Sequence, residues 1–165
     1  MSATTAFALA THAVALLAFH GEDGATSGLI ASSASTHPAR VRQVLGLLVR
    51  AGIVSAREGA GGGYVLARPA DEITLADVYL ATRGEGPLLP LHPRPPNEKC
   101  PIGAGITAAL GAVDSAVDTA LRAELAHHSV AWLTGRVVDA AAAAAAAARD
   151  GGAAAGGVPG GAQPR

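Results

Sequence analysis

The run Ala51-Gly52-Ile53-Val54-Ser55-Ala56-Arg57-Glu58-Gly59-Ala60-Gly61-Gly62-Gly63-Tyr64, continuing as Val65-Leu66-Ala67-Arg68-Pro69, holds two short β-prone segments, 53–56 and 64–66. A glycine-rich turn separates them, with Arg57 at its base. Glycine tolerates backbone angles that other residues resist, so the stretch reads as a β-hairpin. Just upstream, residues 38–51 place Val41, Val44, Leu45 and Leu48 on one stripe of a helix. The opposite side carries Arg42, Gln43 and Arg50, with Arg40 on its flank. A helix presenting arginine and glutamine to solvent, followed at once by a hairpin with an arginine at its base, predicts a winged helix-turn-helix that reads DNA.

Working outward towards the N-terminus, Phe7, Ala10, Ala13, Val14, Leu16 and Leu17 recur at helical spacing over residues 3–19. That helix is apolar enough to need cover on more than one side. His12 lies within it, either packed in place or serving as a ligand or sensing residue. Thr26 and Ser27 suit the start of a short helix over 27–33. Ser35-Thr36-His37-Pro38 then forms the turn, with Pro38 as the first residue of the next helix and Gly52 closing it. In this order the second helix enters the major groove. Arginines there pair bidentately with guanine and Gln43 with adenine, each worth roughly 1–3 kcal/mol of discrimination. The expected DNA-contact set is Thr26, Ser27, Ser35, Thr36, His37, Arg40, Arg42, Gln43 and Arg50, with Arg57, Gly62, Gly63 and Tyr64 from the wing. The glycine-rich loop lacks the lysine and Ser/Thr of a phosphate loop, which argues against a nucleotide-binding enzyme.

Downstream, Thr74 caps a helix with Asp77 three residues on, and the helix ends near Arg83-Gly84. Residues 84–99 contain Pro87, Pro90, Pro93, Pro95 and Pro96, too many for a helix or a central strand. Cys100-Pro101-Ile102-Gly103 then opens a long helix. Ile102, Ile106, Leu110, Val113, Val117, Leu121 and Leu125 form a narrow apolar stripe along it, suited to pairing with its twin in a homodimer. Ser129 is placed to cap a last helix containing Val130, Trp132 and Leu133. The expected organisation is a mainly α chain with a β-hairpin wing: a DNA-binding domain over 1–83, a linker over 84–99, dimerisation helices over 100–139, and a disordered Ala/Gly-rich tail over 140–165.

Charge supports this division. The whole chain carries a net charge of −1, but residues 1–68 hold five arginines against Glu22, Asp23 and Glu58, a balance of +2. All five lie between positions 40 and 68, the local footprint a DNA reader needs. Eleven arginines against one lysine, Lys99, with abundant alanine and glycine, reflect a GC-rich coding bias. No apolar run approaches the ~20 residues of a membrane span, and the N-terminus lacks a secretion signal. A single cysteine, Cys100, excludes an intramolecular disulfide and fits a reducing cytoplasm.

The ordered string Arg42-Gln43-Val44-Leu45, Ala51-Gly52-Ile53-Val54, 61–69 (Gly-Gly-Gly-Tyr-Val-Leu-Ala-Arg-Pro) and 73–78 (Ile-Thr-Leu-Ala-Asp-Val) resembles the Rrf-two family of bacterial winged-helix transcription regulators over about residues 5–135. Asn97-Glu98-Lys99-Cys100-Pro101-Ile102-Gly103 resembles a subgroup with one Cys-Pro-Ile-Gly element. The resemblance implies a homodimer on a palindromic operator, with the long helices crossing. Cluster-binding members place three cysteines in this region, so a chain with one departs from them, and no cofactor is expected. Cys100 at a helix N-cap, beside Lys99, should have a lowered pKa and a reactive thiolate, and a redox-sensing set of Cys100, Lys99 and His12 follows. The expected function is a DNA-binding repressor and not an enzyme. The alternatives are a winged-helix protein-interaction module and a cluster-binding sensor of the same family.

Overall fold

The computed structural model describes residues 3–153 except 60, 61 and 90. Among the described residues six helices and one hairpin follow in the expected order: α1 (Ala3–His20), a 3₁₀ turn (Gly21–Asp23), α2 (Ser27–Ser33), α3 (Pro38–Arg50), β1 (Val54–Arg57), β2 (Gly63–Leu66), α4 (Leu75–Thr82), α5 (Pro101–Ala126) and α6 (Val130–Ala153). The chain is mainly α with a small β-hairpin wing.

Local chemistry sets most of these boundaries. Thr26 Oγ1 accepts from the Leu29 amide to cap α2. His37 Nδ1 accepts from the Ala39 amide to cap α3, whose first residue is Pro38. Gly52, at φ 68°, turns the chain out of α3 in the left-handed conformation that glycine permits. Thr74 and Asp77 form a reciprocal capping box at α4, with bonds of 3.1 and 3.0 Å.

The core gathers Val14 and Leu17 of α1, Ile30 of α2, Val41, Val44, Leu45 and Leu48 of α3, then Ile53, Val54, Ile73, Val78 and Val130. Helix α1 sits centrally and packs on α3, α4, α6 and β2, which is why it is apolar on several sides. The hairpin pairs Val54 with Leu66 and Arg57 with Gly63. It starts one residue later than the sequence pattern implies, because the Ile53 amide bonds back to the Leu48 carbonyl at 2.9 Å and not across the ladder.

Three further features depart from the sequence reading. Ala25 adds a third, single-residue rung to the wing by bridging Tyr64. Along α5 the apolar stripe is split: Ile106, Leu110, Leu121 and Leu125 are half-buried, whereas Ile102, Val113 and Val117 are 73%, 50% and 40% exposed. The buried α5 side chains are instead Asp114 and Asp118. Finally, the segment from 140 to 153 continues α6 and is no disordered tail, because alanine is the strongest helix former. The rest of the expected tail, 154–165, lies outside the described residues.

The alanine run also corrects the expectation about apolar runs. Val130–Arg149 is long and apolar enough to cross a membrane by length and composition, at mean hydropathy 1.3. Arg136 and Asp139 interrupt it, and its first turn is built into the core: Val130 is fully buried and its amide bonds to the Ile73 carbonyl at 2.8 Å. With the Leu75 amide on the His128 carbonyl at 2.8 Å, this fastens the α5–α6 corner to the start of α4.

Candidate nucleic-acid interface

The residues expected to meet DNA fall into three groups. Arg42 and Gln43 project from α3 on the same side as Arg50 and are all exposed. They line a groove of about 540 Å³ with Gly46, Thr82 and Arg83. Arg40 points elsewhere, towards a shallow hollow it shares with Thr36, His12 and the side of α1. The turn before α3 supplies Ser35, held at φ 48°, and Thr36, whose amide bonds to the Ala31 carbonyl at 2.9 Å. His37 spends its Nδ1 on the α3 cap, and Thr26 spends its hydroxyl on the α2 cap. Ser27 is the half-buried first residue of α2. These three therefore set the geometry of the helix-turn-helix before any outside contact.

The wing is tightly tied to the same unit. Arg57 donates from its guanidinium to the Glu22 carbonyl in the 3₁₀ turn, so its foot is anchored while the side chain stays exposed. A Cβ on Gly62 would stand 2.6 Å from the Arg57 carbonyl, and one on Gly63 would stand 2.9 Å from the Ala25 carbonyl. Glycine at both positions lets the strand approach its neighbours. Tyr64 is half-buried against the core, which makes it a strut of the wing. Gly61 and Ala60 at the tip lie outside the described residues.

Arg83 is the residue the sequence reading missed. Its guanidinium borders the Arg42–Gln43–Arg50 groove, lies 3.6 Å from the Asp118 carboxylate on α5, and donates to the Gly86 carbonyl at 3.1 Å. Asp118 also accepts from the Tyr79 hydroxyl at 2.8 Å and pairs with Arg122. The Tyr79 hydrogen bond, and then the two arginines working against the cost of burial, hold the Asp118 carboxyl below the usual range. Burial, then the Asp118 hydrogen bond, pushes the Tyr79 phenol up. This cluster joins the end of the DNA-binding unit to the long helix.

Cys100 stands exposed at the α5 N-cap. The loop before it is built on Asn97, whose side chain accepts from the Lys99 amide and whose carbonyl accepts from the Cys100 amide, both at 3.0 Å. The sulfur makes no full cap hydrogen bond. The Gly103 amide, followed by that of Ile102, nevertheless holds the thiol below its ordinary pKa. His12 does not extend this site with any contact to Cys100; its Nε2 lies 2.9 Å from Ser33 Oγ.

Comparison with known proteins gives the family and the fold. The family model for Rrf2, described as iron-dependent transcriptional regulators, matches residues 3–136. YwnA of Bacillus subtilis, a candidate HTH-type transcriptional regulator, is 36% identical over 123 residues, 74% of this chain and 90% of that protein. A crystal structure described as a candidate DNA-binding protein is 31% identical, with a TM-score of 0.61 over 78% of this chain and 97% of that one. The global cysteine regulator CymR of B. subtilis, at 22% identity and a TM-score of 0.58, covers 80% of this chain and 95% of its own, and shares the fold. Among the described residues no three His, Cys, Asp or Glu side chains of one chain converge to hold a metal.

Proposed function

This chain belongs to the Rrf2 family of transcriptional regulators, and we propose that it acts in the cytoplasm as a homodimeric repressor of a palindromic operator, with Cys100 as a thiol-reactive input. The observation that carries the reading is the exposed Arg42–Gln43–Arg50 face of α3, set beside a wing anchored to the same unit. Arginine and glutamine there have the donor geometry for guanine and adenine edges. Ile102, Val113 and Val117, exposed along α5, favour pairing with a second copy, because a row of large apolar side chains in water is costly.

Input at Cys100 requires no metal. Its thiolate attacks a hydroperoxide, forming an S–O bond as the O–O bond breaks; sulfur is oxidised to sulfenic acid, and the hydroperoxide is reduced to alcohol or water after taking a proton. Sulfenic acid at the start of the long helix alters how the two DNA-binding heads are held. One cysteine per chain also argues for regulation without an iron–sulfur cluster.

Sedimentation of the full chain, with fluorescence anisotropy on DNA from upstream of its own gene, tests this. A dimer that binds in a salt-dependent manner and releases DNA on peroxide treatment is expected. Binding undiminished in Arg42→Ala/Arg57→Ala would overturn the interface, and an unchanged peroxide response in Cys100→Ser would overturn the input.

A further inference from the structure

Arg83 is the C-cap of α4, and Gly84, at φ 71°, turns the chain away from the helix there. Its guanidinium lines the same groove as Arg42, Gln43 and Arg50 of α3. Among the described residues no carboxylate stands on the walls of that groove: neither Asp118 nor Glu85 is part of them. Arg83 is held in place by the Gly86 carbonyl at 3.1 Å, the Asp118 carboxylate at 3.6 Å and the Tyr79 ring, whose centroid lies 5.9 Å from its Cζ. A guanidinium has five N–H donors. Gly86 takes one, and 3.6 Å is too long for a hydrogen bond to Asp118, so donors remain for an acceptor outside the chain. Asp118 is also shared, since it accepts from the Tyr79 hydroxyl and pairs with Arg122. One carboxylate against two guanidiniums leaves positive charge at the edge of the groove.

We infer that Arg83 grips a phosphate of the DNA backbone beside the bases that α3 reads. The inference rests on α3 as the DNA-facing helix and adds to it a contact from the end of α4. Three guanidiniums around one groove repel one another, and a polyanion relieves that repulsion. The planar fork of an arginine matches two phosphate oxygens. A phosphate suits this arginine better than a base edge, because it stands on the α4 wall of the groove, tied to the linker and to α5. Contacts of that kind set register and orientation, whereas the reading of sequence falls to Arg42 and Gln43 on α3. Gly86, Asp118 and Tyr79 hold the side chain before DNA arrives, which lowers the entropy cost of ordering it on binding. A free phosphate ion would meet the same donors, but the groove is continuous with the exposed face of α3, where a bound duplex brings its own phosphates.

The test is fluorescence anisotropy of the full chain at several salt concentrations, on DNA from upstream of its own gene and on a scrambled duplex. Arg83→Gln should weaken both severalfold and reduce the slope of log affinity against log salt by about 1. Arg122→Gln removes the other cation on Asp118 from a position outside the groove, and should leave the slope unchanged. Asp118→Asn breaks the same α4–α5 ion pair but keeps the Arg83 charge, and should keep the slope as well. An Arg83→Gln slope equal to that of the wild type, while Arg42→Ala still weakens binding, overturns this contact and leaves the α3 interface standing. Equal loss of slope in all three variants assigns the effect to the α4–α5 junction and overturns the contact too. Inorganic phosphate added at constant ionic strength should not compete with DNA; competition that Arg83→Gln abolishes would make a free anion the occupant. Wild-type protein that binds neither duplex overturns the DNA reading itself, and this contact with it.

Discussion

The backbone of Tyr64 donates to the Ala25 carbonyl and accepts from the Ala25 amide, each bond 2.9 Å long. Ala25 immediately precedes Thr26, the cap of α2, so the wing and the helix-turn-helix are joined by a rung of sheet as well as by core packing. The close approach depends on Gly24, where a Cβ would lie 2.5 Å from the Tyr64 carbonyl oxygen and the backbone sits at φ 66°.

Gly24→Ala should therefore loosen the wing. A backbone at φ 66° and ψ −166° is essentially glycine-only and costs an alanine roughly 1–3 kcal/mol, and each weakened hydrogen bond adds about 1 kcal/mol. A loss of at least about 2 kcal/mol corresponds to a fall in melting temperature of roughly 4–8 °C for a chain of this size. Gly21→Ala provides the control, since Gly21 also has positive φ, 56°, but nothing lies within 4 Å of its added Cβ. Equal losses in the two variants, measured by thermal unfolding, would show that the Tyr64 contact contributes nothing.

Arg57 and Arg42 should differ in kind on DNA. Arg57, anchored on the Glu22 carbonyl at the foot of the wing, is suited to a phosphate. Arg57→Ala should weaken all sequences alike and reduce the slope of log affinity against log salt by about 1. Arg42→Ala should cost about 1–3 kcal/mol on the operator and relax base preference at one position in each half-site. Anisotropy titrations at several salt concentrations, on operator and scrambled DNA, separate these outcomes; a uniform loss from Arg42→Ala would move it to the phosphate class.

The elements were legible because their signals are local. Pro38 and Gly52 bracket α3, Thr74 and Asp77 cap α4, and the apolar spacing of residues 41–48 marks a core face. What escaped was non-local. Ala25 joins the sheet through its backbone alone, without a β-branched side chain to announce a strand. Asp114 and Asp118 interrupt the α5 stripe, yet they are the residues buried there, one accepting from the Leu89 amide at 2.6 Å and the other from Tyr79. Periodicity counts apolar residues and is blind to a carboxylate whose partners come from a linker and another helix. Arg83 was passed over for the same reason, since its significance lies in Asp118, which is distant in sequence. The alanine run offers no large side chain to pack, and its helix propensity alone carries α6 onward.

Asp118 fixes a direction for pH dependence. Its folded pKa lies below the ordinary value near 3.9, principally through the Tyr79 hydrogen bond. A depressed carboxylate contributes stability that is present above the unfolded pKa and lost as pH falls through the folded one. Asp77 shares the sign: burial pushes it up, but the Thr74 amide and Arg68 outweigh that and hold it low. Urea midpoints should therefore decline below about pH 4, and Asp118→Asn should lower the midpoint at pH 7 while flattening the acid decline. An acid limb of undiminished steepness in Asp118→Asn would remove this cluster from the account.

The reactivity of Cys100 should depend on a glycine three residues away. A Cβ on Gly103 would stand 2.2 Å from the Asn97 carbonyl oxygen, the same oxygen that receives the Cys100 amide. Gly103→Ala must displace that loop, and with it the alignment of the Gly103 and Ile102 amides that lowers the thiol pKa. Because those amides favour the thiolate, disturbing them should move the inflection of the alkylation rate against pH upward, towards the ordinary thiol value. Fewer thiolates at neutral pH then mean slower reaction with iodoacetamide and with peroxide. Gly105→Ala, in the same turn region of α5 but with nothing within 4 Å of its added Cβ, should leave the profile where it is. If Gly103→Ala and Gly105→Ala give the same inflection as the wild type, the Asn97 loop does not tune the thiol.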